Sequence, residues 1–137
     1  MSIMAVLSRK QKKYLERLFF DGVALANAVN DLRSAALVTA EQSADPTGRH
    51  AVENIAGVPE ALGYKYPERW LQVVELTWAR YNSESYIGKA MRRRYLTGES
   101  PESTCIHSAI AEGTYWGWRN EFLTYAAMMA LKKDLEI

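Results

Sequence analysis

The chain contains one cysteine, Cys105. A lone thiol closes no internal disulfide and builds no cysteine-based zinc site. Disulfide-stapled secreted folds are therefore excluded, and a reducing compartment fits. Histidine is nearly as scarce. His50 and His107 stand apart, and neither a His-x-x-x-His nor a Glu-x-x-His spacing occurs. Both read as surface or core polar residues rather than metal ligands. No apolar run reaches the roughly 18 residues of a membrane span. Charge of one sign is also missing: 17 basic residues face 16 acidic ones, for a net charge of +1. With no overall basic field, any nucleic-acid role must rest on local patches. Glycine-rich phosphate loops with their lysine are absent too, because the segment between Gly113 and Gly117 lacks one and lies in a helical pattern. Carboxylates such as Glu99 and Glu102 read as loop and first-turn residues favoured by a helix dipole. These absences leave no support for an enzyme and imply no cofactor.

The start, MSIMAVLSRKQKK, carries its charges after a short apolar stretch. A secretory signal has the reverse order, so the expected location is cytoplasmic. The length of 137 residues suits one domain over 1–137 with a real core. Strand-like alternation is nearly absent, whereas 3–4 spacing recurs. The expectation is an all-α fold: a long N-terminal helix plus a helical bundle ending in a C-terminal helix-turn-helix.

The first helix is expected over 8–37, capped by Ser8. Leu15, Leu18, Gly22, Leu25, Val29, Leu32 and Ala36 are spaced 3, 4, 3, 4, 3, 4. This heptad seam suits either packing on the chain's own core or a homodimer through the N-terminal helix. Arg9, Lys10, Lys12, Lys13 and Arg17 make its first turns basic; most such runs are solvated faces. Residues 38–63 form the loosest region, with a turn signal at Asp45-Pro46-Thr47-Gly48 and room for a short helix over 49–56. A helix over 66–82 opens with Pro67 in its first turn. Its wide apolar face holds Trp70, Leu71, Val73, Val74, Thr77, Trp78 and Tyr81, which reads as core. Another helix over 83–96 buries Ile87, Ala90, Met91 and Tyr95, and Gly98 supplies its left-handed stop.

Residues 100–133 carry the chemistry. Ser100 is a good N-cap and Pro101 sits at the first helical position. That short helix reaches about Ser108. Ala109, Ile110 and Ala111 then separate it from a longer helix starting at Glu112. Two helices joined by so tight a turn have helix-turn-helix geometry. Tyr115, Trp118, Phe122 and Ala126 form the inward face, with Met129 continuing it. The opposite face at the start carries Glu112, Thr114, Trp116, Arg119 and Asn120, with Gly117 leaving room for close approach. Arginine and asparagine suit bidentate contacts to guanine and adenine edges. Lys89, Arg92, Arg93 and Arg94 on the preceding helix could hold the phosphate backbone. The same pattern also fits a helical hairpin in a core.

GTYWGWRNEFLTYAAMMAL resembles the C-terminus of phage late-gene transcriptional regulators of the RinA and ArpU type. Ala90-Met91-Arg92-Arg93-Arg94-Tyr95-Leu96 resembles the helix preceding their helix-turn-helix, and Ser43-Ala44-Asp45-Pro46-Thr47 their mid-chain loop. That C-terminal part is similar to the promoter-reading C-terminal domain of sigma factors. Ser100, Cys105, Ala109, Ile110 and Ala111 fall on the positions of its first cap, small residue, turn and second cap. Ala109 stands where the turn glycine is usual and Ala111 where a capping serine is usual. Thr104 and Ser108 replace apolar residues. The resemblance implies a sequence-specific regulator of phage or prophage late genes whose partners are double-stranded DNA and host RNA polymerase. Two other readings remain: a DNA-packaging subunit of the small terminase type, and a helical adaptor without DNA contact.

Overall fold

In the computed structural model, residues 7–42 and 60–137 are described. The turn at 45–48, the short helix expected over 49–56 and the 43–47 stretch lie outside them. The fold is all-α. Among the described residues six helices follow in order: α1 (Arg9–Phe20), α2 (Gly22–Gln42), α3 (Pro67–Arg80), α4 (Tyr86–Tyr95), α5 (Pro101–Ser108) and α6 (Glu112–Lys132). Among the described residues the only extended pairing is an isolated bridge between Ala61 and Tyr64. No described helix is long and apolar enough to cross a membrane.

The chain divides into two compact units, Met1–Phe20 with Gln72–Ile137, and Asp21–Leu71. The single long helix expected over 8–37 is therefore corrected to two, broken at Asp21. The physical reason lies in the junction. Gly22 is a poor interior helix residue, about 1 kcal/mol worse than alanine. The Asp21 carbonyl already accepts the first hydrogen bond of α2, from the Leu25 amide at 2.8 Å. The Asp21 carboxylate accepts the Tyr64 hydroxyl at 2.9 Å. Of the seam residues, Leu15, Leu18, Gly22, Leu25 and Val29 are buried within the single chain.

In the 21–71 unit, the Tyr64 ring packs on Trp70 at 6.4 Å, and Arg33 Nε donates to Glu68 at 3.0 Å. Leu62, Gly63 and Tyr66 all adopt positive φ on the way into α3. Pro67 then opens the helix as expected.

The other unit is built around Phe122 of α6. Its ring lies 4.7 Å from Phe19, 4.9 Å from Trp78, 5.5 Å from Tyr81 and 5.9 Å from Tyr95. Offset and tilted rings at these distances add to the burial energy of each side chain. The helix expected over 83–96 starts later, because Ser85 is the residue that caps it, accepting from the Gly88 amide at 2.9 Å. Gly88 is obligatory: a Cβ there would lie 2.1 Å from the Asn82 carbonyl oxygen. Gly98 stops the segment at φ +80°, as the sequence suggests.

One carboxylate joins three helices of this unit. Glu16 of α1 accepts the Tyr95 hydroxyl of α4 at 2.9 Å and Arg119 Nη2 of α6 at 2.8 Å. Burial first, and the carboxylate second, push the Tyr95 phenol's pKa well up. Only 17% of the Glu16 side chain and 15% of the Arg119 side chain are exposed. Removing one partner from such a pair strands the other charge, which makes the loss larger than for a surface pair. Glu16→Ala and Arg119→Ala should each lower stability by about 2 kcal/mol in denaturant unfolding, and the double variant should lose clearly less than the sum. Additive losses would mean the two groups are not coupled.

Candidate nucleic-acid interface

Helices α5 and α6 form the tight pair that the spacing predicts. Ser100 caps α5 with extended backbone and accepts the Ser103 amide at 3.0 Å, and Pro101 occupies the first turn. The helix ends in Ala109, whose φ of 55° and ψ of 47° are left-handed. A non-glycine residue in that region costs about 1 kcal/mol or more. Ala111 then takes the N-cap position of α6 with no side-chain cap bond. Two of the departures from the resembled pattern, Ala109 and Ala111, therefore fall on the turn itself. Thr104 is buried with its hydroxyl unpartnered, at a position where an apolar side chain would carry no such burden.

The inward face of α6 is the expected one. Tyr115, Phe122 and Ala126 have no exposed surface, Met129 is 6% exposed, and Trp118 is partly covered. Burial pushes the Tyr115 phenol's pKa up. Of the residues expected on the opposite face, Glu112, Thr114, Trp116 and Gly117 are exposed. Trp116 leans back along the helix, its indole N–H donating to Glu112 at 3.3 Å. A Cβ added at Gly113 or Gly117 would meet nothing within 4 Å, so neither glycine is demanded by packing.

Arg119 and Asn120 need correction. Arg119 does not present a free fork to solvent. Its guanidinium is committed to Glu16 and lies under the Trp116 ring, 5.0 Å from the centroid. Asn120 has its side-chain Oδ1 buried. Arg119 thus belongs to the flank of the helix that meets α1.

On α4 the four cations differ. Arg92 donates to the Tyr81 carbonyl at 2.7 Å and the Trp78 carbonyl at 3.3 Å, over the Trp78 ring. Burial draws its pKa below the ordinary arginine value. Arg94 donates to the Glu99 carbonyl at 3.0 Å and covers Phe20. These two hold loop and helix ends more than they offer charge outward. Lys89 and Arg93 are exposed. Together with Tyr86, Arg92, His107 and Trp118 they line a concavity of about 530 Å³ beside the start of α6.

Two partners went unread in the sequence. Glu16 gave no local signal, since its partners lie 79 and 103 residues away. Glu99, Ser103 and His107 recur every four residues and do meet. His107 Nδ1 lies 2.8 Å and Ser103 Oγ 3.3 Å from the Glu99 carboxylate, and Arg93 approaches it at 3.3 Å. Among the described residues no group of His, Cys, Asp and Glu side chains could hold a metal ion. Compared with family models, curated proteins and solved structures, the chain matches none.

The turn makes a direct prediction. Ala109→Gly should raise stability by about 0.5–1 kcal/mol and Ala111→Ser by about 1 kcal/mol in chemical denaturation. Destabilisation by either would place the turn elsewhere. A second prediction concerns pH. The bond from His107 holds the Glu99 carboxyl below its ordinary pKa; burial opposes it, and the charge of His107 and the Arg93 guanidinium add to the lowering. A carboxyl with a lowered folded-state pKa stabilises the fold above its unfolded value, and the contribution fades as pH falls through the folded value. Melting curves taken between about pH 7 and pH 2 should show Glu99→Gln losing part of the acid-side decline of the unaltered chain. An identical decline in both would remove Glu99 from that role.

Proposed function

We propose that this chain is a sequence-specific, duplex-DNA-binding regulator of transcription, of the phage or prophage late-gene kind, acting in the cytoplasm of a bacterial host. On this reading the start of α6 lies in the major groove. The observation that carries it is the exposed stripe of Gly113 and Gly117, flanked by Thr114 and Trp116, at the start of the second helix of a tight helical pair. Gly117, inside the helix, costs about 1 kcal/mol against alanine, and Gly113 stands in the first turn. Neither relieves a contact within the chain. A surface that gives up helix stability to stay flat suits the close approach of another backbone. Lys89 and Arg93, beside it, suit phosphates rather than bases.

With Arg119 paired internally, base contacts fall to Thr114, Trp116 and Glu112. Threonine and tryptophan suit a thymine methyl or a sugar, and a carboxylate can accept from a cytosine amino group. Gly117 gives the sharpest test, because stability and binding should part company. Gly117→Ala should raise stability by about 0.5–1 kcal/mol. Gly117→Leu should fold at least as well as the unaltered chain yet weaken duplex binding by about tenfold or more, as a side chain of that size holds the groove away. Duplex binding by the unaltered chain should fall steeply with salt. A folded Gly117→Leu variant that binds duplex normally would sink the assignment, as would an unaltered chain that binds no duplex at low salt.

A further inference from the structure

The exposed start of α6 carries no cation. Its outward side chains are Glu112, Thr114 and Trp116, and its arginine is tied to Glu16. A groove-binding helix so poor in positive charge needs that charge from elsewhere. The contacts of α1 show one source. Glu16 meets Arg119 and Phe19 meets Phe122. Both pairs advance by three in the same sense, so α1 and α6 run in the same direction where they touch. Moving back along α1 from Glu16 therefore means moving back along α6 from Arg119.

Lys13 and Lys12 lie three and four residues before Glu16, and Arg9 lies seven before it. Those spacings return to the side of the helix that Glu16 occupies. The corresponding steps on α6 lead from Arg119 to Trp116, Tyr115 and Glu112. At 1.5 Å per residue, Lys12 and Lys13 sit about 5 Å, and Arg9 about 10 Å, toward the exposed end. Lys10, six residues before Glu16, is off that side. Arg9 and Lys13 are exposed and Lys12 is partly so. The one acidic residue of α1 is Glu16, whose charge is already taken by Arg119.

Two of these cations, Arg9 and Lys12, also do the helix no service. The first turn of α1 contains basic residues and no acidic one. A positive charge there opposes the helix dipole, an unfavourable placement of about 0.3–1 kcal/mol. The buried side of α1 is supplied by Leu15, Leu18 and Phe19 without them. Their arrangement has a use at the same end of the molecule as the flat stripe of α6.

We infer that Arg9, Lys12 and Lys13 form a phosphate-contacting flank of the interface, touching the DNA backbone on the Trp116 side of α6. This inference rests on the duplex-binding reading above. Lys89 and Arg93 line the concavity with Trp118, on the other flank of α6. The start of the helix is thus bracketed by cations, as the two phosphate strands bracket a major groove.

The test is the salt dependence of duplex binding by the full chain, measured on a selected duplex and on an unrelated one. Replacing Arg9, Lys12 and Lys13 together by glutamine should lower the slope of log affinity against log salt by roughly 2 to 3. Both duplexes should be affected alike, because phosphates carry no sequence information. Lys13→Gln alone should lower the slope by about 1. Lys10→Gln removes the same charge off that side and should leave the slope nearly unchanged. The melting temperature of each variant confirms folding, and Lys13→Gln decides the matter if the triple variant does not fold. A slope unmoved by Lys13→Gln, or moved equally by Lys10→Gln, overturns the flank while leaving duplex binding intact. An unaltered chain that binds no duplex at low salt overturns the flank and the functional reading together.

Discussion

The Glu16 carboxylate is the constraint on which the rest of its unit depends. It draws the hydroxyl of Tyr95 and the guanidinium of Arg119 to one point, from helices that precede and contain the tight turn. Apolar contact alone would let α1 slide along Phe122, since ring packing is tolerant of small shifts. A charged, directional pair fixes the register. The side chains that follow Glu16, Phe19 and Phe20, then fall against Tyr95 and Phe122. The side chains that precede it are carried toward the start of α6. One interaction thus fixes both the core of this unit and the composition of its exposed end.

That dependence explains what was legible in the sequence and what was not. Local rules located the turn well. Ser100-Pro101 opens α5, a left-handed residue closes it at Ala109, and α6 begins at Glu112. Each of these features is decided by neighbours within a few residues. The inward stripe from Tyr115 to Met129 was legible for the same reason, being a matter of helical period. The break at Asp21 was legible only in part: Asp21-Gly22 is a local signal, but the Tyr64 hydroxyl that engages the Asp21 carboxylate comes from 43 residues away. Arg119 was misread on the same ground. Period alone puts it near the outward face; only the arrival of Glu16 from α1 turns it inward. Sequence spacing tells which residues share a side of a helix, but a side becomes an interior only when another element covers it.

Several local choices run against the fold's own stability; Leu62, Tyr66 and Asp134 take positive φ elsewhere, but a group of them lies around the start of α6. Ala109 occupies a left-handed position and Ala111 a cap position without an acceptor. Gly113 and Gly117 loosen the first turns of α6 although nothing crowds them. Arg9 and Lys12, in the first turn of α1, lie against its dipole. In the C-terminal half of α6, by contrast, Ala126, Ala127, Met129 and Ala130 are buried. Individual departures of this kind are ordinary, since marginal stability tolerates them. Their concentration is more informative, because departures from local consistency tend to collect where a sequence serves something other than folding.

Under the proposed duplex-binding reading, the kind of departure matters as much as its place. A protein-binding surface improves with buried aromatic and aliphatic anchors and gains little from bare glycine. A surface meeting a phosphate-lined groove gains from a flat helix side and from cations held back from the bases. The exposed start of α6 offers one aromatic, Trp116, 37% exposed and already braced from below by Arg119. Its flat stripe and flanking cations are therefore the dominant features, and they weigh against an adaptor that reads another protein through this end. The near-zero net charge does not oppose this reading. An even balance across the chain hides a local separation, with the Glu16 charge spent internally on Arg119 and the cations of α1 left facing out. What sets the electrostatics of this end is the use to which one carboxylate is put, and the total charge is silent on that.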